Sequence, residues 1–286
     1  MKKAKAGGYA VSFFESWGID SLQGVIDAAE QTRSPTIVGF NGEMLSHSGR
    51  VTRERIAWYG ELGKAACRSA TVPCGLLFNE CSNDQSVREA ITAGFNLVMP
   101  ADADASYDDY TERVTELTQF AHRHQVAVEA EVGELPSGLS DEAEHLGSTT
   151  DPDAMARFVT ATGVDLLAVS VGNVHVLVKG SKSLDLELLR ALREKVSVPF
   201  VLHGGTGIDR DSLHEAIAIG VTKVNYGTYV KQRYLHALRA ALRSDEEDPH
   251  RLIGLGGDED ILVVGRRAVR DAVLERMDWL GCCGKA

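Results

Sequence analysis

Residues 198–228 read VPFVLHGGTGIDRDSLHEAIAIGVTKVNYGT. The stretch opens on a short apolar, β-rich run at 200–203 and turns through a glycine-rich segment. It continues into a helical pattern at 211–220 and ends in a second β-rich run at 223–225. Asp209, just ahead of the helical pattern, is a start signal, because its side-chain oxygen can accept from a free amide of the first turn. Strand, tight turn, helix and strand in about thirty residues make a β–α–β unit, the element of parallel sheets.

The same alternation extends towards both ends. Other β-rich runs lie at 9–14, 36–40, 72–78, 97–99, 127–131 and 166–169, and helical patterns at 21–32, 53–70, 84–93, 107–124, 152–162, 185–195 and 229–243. Asp20-Ser21 and Thr150-Asp151-Pro152 are further start signals. Eight strands each followed by a helix predict an α/β fold of the (β/α)8 TIM-barrel type. We read it as a single domain over 1–286, with 245–286 as a C-terminal helical extension. An open doubly wound sheet is the alternative, but the first strand is not followed by GxGxxG. The polar segment 134–149, with Pro136, Gly138 and Gly147, is expected to be a long loop after strand five, either a lid or a plain surface insertion. The acidic DEEDPH run at 245–250 reads as a solvated connector.

Composition excludes several classes. The 286 residues carry 30 Lys+Arg against 41 Asp+Glu, a net charge of −11, with 44% hydrophobic residues. That is globular rather than disordered, and it argues against a general nucleic-acid binder, which needs a basic surface. A local pocket can still have the opposite sign and take an anionic small molecule. The five cysteines form no CxxC pair and are expected to be reduced thiols. No apolar run of signal-peptide length opens the chain and none approaches about 20 residues, so a cytoplasmic protein without membrane partners is expected.

In barrel enzymes the reacting groups sit at the C-terminal ends of strands. That filter selects Glu15, Asn41, Asn79, Glu80, Glu131, His175, His203 and Asn225. Two histidines with up to three carboxylates at one barrel mouth are suitable donors for a divalent cation. His203 also opens HGGTGI, and His175 precedes Lys179-Gly180. Backbone amides of such a turn, with Thr206 and a lysine, can cradle a phosphate, while Asn225 and Thr228 follow at strand eight. The glycines can equally serve as tight turns alone.

Taken together, these stretches resemble class II fructose-bisphosphate aldolases over nearly the whole chain. SLQGVIDAAEQTRSPTIV resembles that family's first helix and second strand, EAEVG its EAELG, and TDPDAMARFVTATGVDLLAVSVGNVH its sixth-strand region. VPFVLHGGTGI and KVNYGT resemble its seventh and eighth strands, and GCCGKA its closing FGSAGKA. The resemblance implies His175 and His203 as metal ligands and Glu131 as an auxiliary carboxylate of the metal site. It implies that Lys179, Gly180, Gly204, Gly205, Thr206, Asn225 and Thr228 hold a substrate phosphate and its adjacent carbonyl end. It also implies a homo-oligomer, dimer or tetramer.

Departures from the family pattern change the expected chemistry. Where the family has HLDHG, this chain reads LFNEC, so Asn79 replaces the catalytic aspartate and Glu80 the third metal histidine. Ala101 replaces an aspartate, Glu15 an asparagine, Asn41 a substrate-contacting serine, and Val176 a glycine beside the phosphate. An amide is no base near neutral pH, so Asn79 cannot take the hydroxyl proton. Three roles stay open for Glu80: metal ligand, base, or solvent-facing carboxylate. Glu15 is either a replacement proton carrier, a contact to an altered substrate group, or one half of an ion pair. The expected cofactor is one divalent ion, zinc first, with a carboxylate ligand admitting manganese or iron(II). The expected activity is a metal-dependent aldolase-like lyase acting on a phosphorylated ketose or related oxo compound other than fructose 1,6-bisphosphate. An isomerase or epimerase using the same metal-stabilised enediolate, and a non-catalytic phosphate-ligand-binding homologue, are the alternatives.

Overall fold

The computed structural model describes residues 1–102, 104–133, 149–174, 182–243 and 246–286. Eight parallel strands close a barrel in chain order: β1 (Val11–Glu15), β2 (Thr36–Asn41), β3 (Cys74–Cys81), β4 (Leu97–Pro100), β5 (Ala127–Val132), β6 (Leu166–Val169), β7 (Phe200–Leu202) and β8 (Val221–Tyr226). β8 returns to β1 with Val11 opposite Lys223 and Phe14 opposite Tyr226, so no strand edge is left open. The (β/α)8 expectation therefore stands, C-terminal helices included.

The helices are α1 (Lys2–Gly7), α2 (Ile19–Thr32), α3 (Gly42–Ser46), α4 (Ile56–Ser69), α5 (Asp84–Ala93), α6 (Tyr107–Arg123), α7 (Pro152–Thr162), α8 (Leu186–Lys195), α9 (Arg210–Ile219), α10 (Thr228–Ala241), α11 (Pro249–Leu252) and α12 (Ile261–Trp279). Many begin the same way: the side chains of Asn83, Ser106, Asp151, Asp185 and Asp209 each accept from the backbone amide three residues on. This satisfies an otherwise orphaned first-turn donor and fixes where the chain leaves each loop.

Several boundaries differ from the sequence reading. α2 starts at Ile19 behind Gly18, and Ser21 Oγ accepts from the Gly18 amide from inside the first turn. The lysine-rich start forms α1, with Ala4 buried beneath it. β3 runs through Cys81 instead of ending at Phe78, which makes Asn79 and Glu80 part of the strand. Polar residues at the end of a buried run obscured its length.

Both faces of the strands are covered, one by helices and one by the barrel interior, so they read as apolar runs rather than as alternation. The interior polar groups concentrate where β5, β7 and β8 approach β3. On the outside, α12 lies against α2 and α10: a side chain on Gly24 would meet the Arg266 carbonyl at 2.6 Å. Arg266 bonds both oxygens of Asp27, and the chain end returns to α2 through Gly284 N–H to Thr32 O at 2.8 Å and Ala286 N–H to Arg33 O at 2.9 Å. Among the described residues no helix is long and apolar enough to cross a membrane.

Candidate active site

Period two in two strands builds the floor of the site. In β5, Glu129 and Glu131 are two residues apart, and in β8 Lys223 and Asn225 are two apart, so each pair falls on one face of its strand. The interior face is the one they share. Lys223 Nζ lies 2.8 Å from Glu129 Oε2 and donates to Asn225 Oδ1 at 2.6 Å, with both members of the ion pair fully buried. Burial pulls Lys223 below its ordinary pKa, and the Glu129 carboxylate opposes that pull. Burial opposes ionisation of Glu129 too, but Lys223 and His203 together hold its carboxyl below the usual carboxylate range.

His203, just past β7 and 1% exposed, stands on this floor. Its Nε2 lies 2.9 Å from Glu129 Oε1, and its Nδ1 lies 2.8 Å from Glu80 Oε1. Asn225 Nδ2 is 2.9 Å from the same Nε2, and Asn173 Nδ2 donates to the His203 carbonyl at 3.1 Å. Burial disfavours the imidazolium. The carboxylates on its two nitrogens, with the field of Glu131, overcome that and push the pKa up to about 10.

Glu80 owes its direction to a bulge. β3 pairs with β4 at Phe78–Val98 and again at Cys81–Pro100, three steps against two, so the irregularity falls on Asn79 and Glu80. Glu80 sits at φ 50°, the left-handed region in which a side chain is strained. Its Oε2 accepts from Asn41 Nδ2 at 2.9 Å. Asn41 is tied at its other end as well, because its Oδ1 accepts from the Met44 amide and caps α3. Glu80 is thus bonded on both oxygens, with its side chain 22% exposed.

Glu131 contributes the third carboxylate. Burial, with the nearby Glu80 and Glu129 charges, pushes its pKa up to about 7 against the pull of His203. Its Oε1 is sealed from water and has no hydrogen-bond partner among the described residues. Asn79 is 4% exposed, and its Oδ1 takes a long contact of 3.5 Å from Asn225 Nδ2. Glu15, at the end of β1, is buried and paired with Lys231 of α10. Burial raises its pKa, Lys231 lowers it, and Glu80 adds a smaller upward push.

The glycine-rich turn explains its own composition. Gly204 takes φ 64°, and a Cβ on Gly205 would meet the Tyr226 ring at 2.7 Å and the Asn225 carbonyl at 2.9 Å. Thr206 Oγ1 accepts from the Tyr229 amide at 3.1 Å, fastening the turn to the first turn of α10, where Thr228 begins the helix. His175, Lys179, Gly180 and Val176 lie outside the described residues, as do residues 134–148 of the long loop expected at 134–149.

A divalent ion can be tested against these donors. Among the described residues no group of three or more His, Cys, Asp or Glu side chains is placed to hold a metal ion. The donor chemistry nevertheless fits one. An imidazole nitrogen facing a carboxylate, a second carboxylate oxygen left without a partner, and a third carboxylate behind the imidazole form a partial shell. His203, Glu80 and Glu131 are of the donor types such an ion takes, and a closed site would need a further ligand from beyond the described residues.

The structure places Glu15, Asn41, Asn79, Glu80, Glu131, His203 and Asn225, all named from the sequence, at one end of the barrel. Sequence reasoning missed Glu129, Lys223, Asn173 and Lys231. The period-two spacing of Glu129 with Glu131 and of Lys223 with Asn225 was the available signal. Asn173 and Lys231 had none, since only folding brings them to the site.

The class II fructose-bisphosphate aldolase family model matches residues 1–285. The chain is 32% identical over 282 residues to the uncharacterized protein YdjI of Escherichia coli K12, covering 97% of this chain and 94% of that one. It is 31% identical over 292 aligned positions to the fructose-bisphosphate aldolase of Geobacillus stearothermophilus, covering 100% and 96%. The crystal structure of the YdjI aldolase superposes with a TM-score of 0.81 at 28% identity, covering 100% of this chain and 96% of that one. The barrel, the mouth residues and these likenesses lead to one conclusion: the chain belongs to the class II fructose-bisphosphate aldolase family.

Proposed function

We propose that the protein is a metal-dependent, aldolase-like lyase that makes or breaks a C–C bond in a phosphorylated ketose or related oxo compound other than fructose 1,6-bisphosphate. One observation supports this most. His203 presents Nδ1 to Glu80 at the mouth while Glu129 holds Nε2 from behind, the carboxylate–histidine arrangement that orients ligating imidazoles. His203, Glu80 and Glu131 would hold the ion, with His175 as the further ligand that the family pattern implies. Bound there, a divalent ion would polarise a ketone oxygen and stabilise the negative charge left by C–C cleavage.

The chain's own residues supply the rest. Lys223 keeps Glu129 charged, and Glu129 keeps the imidazole in one orientation. Asn79 and Asn225 offer amides that bind substrate oxygens without taking protons. With Glu80 engaged by His203 and Asn41, Glu15 is the carboxylate assigned to accept the hydroxyl proton, and Lys231 fixes its position. Gly204, Gly205, Thr206 and Thr228, with Lys179 and Gly180, take the phosphate. The altered mouth, with Asn79, Glu15 and Asn41 in place of the family's residues, is the reason for excluding the ordinary substrate.

The test is metal analysis of the purified full chain, followed by incubation with a panel of phosphorylated ketoses and assay for released aldehyde. About one divalent ion per chain, with cleavage that stops on chelation, is expected. Folded protein that takes up no metal would overturn the reading. Exchange of substrate protons with solvent but no cleavage would replace it with the isomerase or epimerase reading.

A further inference from the structure

Two free thiols meet at the end of the barrel opposite the site. Cys67 is in the last turn of α4, Cys74 opens β3, and their sulfurs are 3.0 Å apart. Both residues are half-buried, in contrast to the buried Cys81 and Cys282. The Gly75 carbonyl faces both sulfurs, at 3.5 Å from Cys67 and 3.7 Å from Cys74. A disulfide needs its sulfurs about 2.05 Å apart, so closure asks for a shift of roughly 1 Å. Side-chain rotation in the last helical turn can supply that.

We propose that Cys67 and Cys74 are an oxidation site, closing into an intrachain disulfide by exchange with a low-molecular-weight disulfide of the oxidised-glutathione class. Cys67 is the attacking sulfur. The hydrogen bond from the Cys74 thiol lowers the Cys67 pKa, while the same bond and burial raise that of Cys74. The Cys67 thiolate attacks one sulfur of the small disulfide, whose S–S bond breaks and releases one glutathione thiolate, which takes up a proton. Cys74 then gives its proton to solvent and attacks Cys67 Sγ, releasing the second glutathione thiolate, which is protonated in turn. Two protein thiols are oxidised to one disulfide, and one glutathione disulfide is reduced to two thiols.

The location keeps this separate from the proposed reaction. Cys74 and Glu80 are six positions apart on β3, roughly 20 Å at strand spacing. Oxidation therefore ties the α4–β3 connection without touching the mouth. Restricting that connection in the unfolded chain should raise Tm by a few degrees.

The experiment is to incubate the reduced full chain with oxidised glutathione, alkylate, digest with trypsin and analyse by mass spectrometry. Trypsin cuts after Arg68, so the two cysteines fall on different peptides, and fragmentation distinguishes Cys74 from Cys81 on the second. The expected product is a joined Cys67–Cys74 peptide pair, a protein lighter by two hydrogens, and a Tm rise that dithiothreitol reverses. Cys67→Ser should show neither the link nor the rise. Full alkylation of both cysteines after the incubation would overturn the proposal, and so would a persistent glutathione adduct on Cys67 with no link to Cys74.

Discussion

His203 is held by two carboxylates of different function, Glu80 at Nδ1 and Glu129 at Nε2, and single substitutions separate them. Glu80→Gln keeps the size and the Asn41 contact but removes the charge beside Nδ1. As a ligand variant it should leave the chain with almost no bound metal after gel filtration; unchanged metal content would refute the ligand role. Glu129→Gln acts from behind the imidazole and should weaken metal affinity by roughly 10–100-fold, read by chelator competition. Lys223 tests the floor itself. Lys223→Met strands a fully buried Glu129 and should cost about 3–5 kcal/mol in denaturant unfolding, with much of that recovered in the Glu129→Gln/Lys223→Met double variant. A single variant as stable as the parent would show that His203 alone neutralises Glu129. Glu80, His203 and Glu131 were legible as residue types at strand ends. That Glu80 turns inward was not, because it depends on a bulge that exists only when β3 pairs with β4.

At the scale of elements, the contact of α12 with α2 and α10 decides how the extension is held. Gly24 is one point of close approach, and Gly24→Ala puts a methyl against the Arg266 carbonyl and the Val269 side chain. The expected cost is about 1–3 kcal/mol in chemical denaturation, from overpacking. Gly163→Ala makes a useful contrast: a Cβ there meets nothing within 4 Å, but φ is 66°. Its cost of about 1–2 kcal/mol is purely conformational. Tyr234 joins α10 to α2 by donating to Asp20 Oδ2 at 2.7 Å. Burial and the Asp20 carboxylate push its pKa up to about 12 from an ordinary 10. The folded chain therefore keeps a proton that the unfolded chain loses, so this contribution is intact below pH 10 and is lost as pH rises through about 12. Tyr234→Phe should flatten the decline in Tm over that interval; an unchanged slope would mean the hydroxyl is not coupled to folding.

At the scale of the whole molecule, the barrel and its extension behave as one proposed unit. The last residues bond back to the end of α2, Ala10 N–H donates to the Leu280 carbonyl at 3.1 Å, and α12 covers apolar faces of α2 and α10. A chain truncated after residue 243 should aggregate or fail to give a cooperative unfolding transition, because those faces would be exposed. A soluble, cooperatively folding truncation would show that residues 245–286 are a dispensable appendage. The net charge of −11 also divides at this scale. Glu80, Glu129 and Glu131 gather around one imidazole inside the barrel, where among the described residues Lys223 and His203 oppose them.

The sequence by itself determined the barrel, because strand and helix periodicities and side-chain helix caps are local. The strand–helix alternation repeats eight times, and a parallel β–α–β chain of that length has few ways to close. It also determined which residue types stand at the strand ends. Tertiary structure decided what those residues do to one another. The pairing of Glu129 with Lys223 across β5 and β8, the clamp of Glu80 and Glu129 on His203, and the ion pair of Glu15 with Lys231 join positions scores of residues apart. Such contacts leave no local pattern, since a carboxylate acquires its partner and its shifted pKa only when burial removes water and the closed barrel supplies the opposite charge.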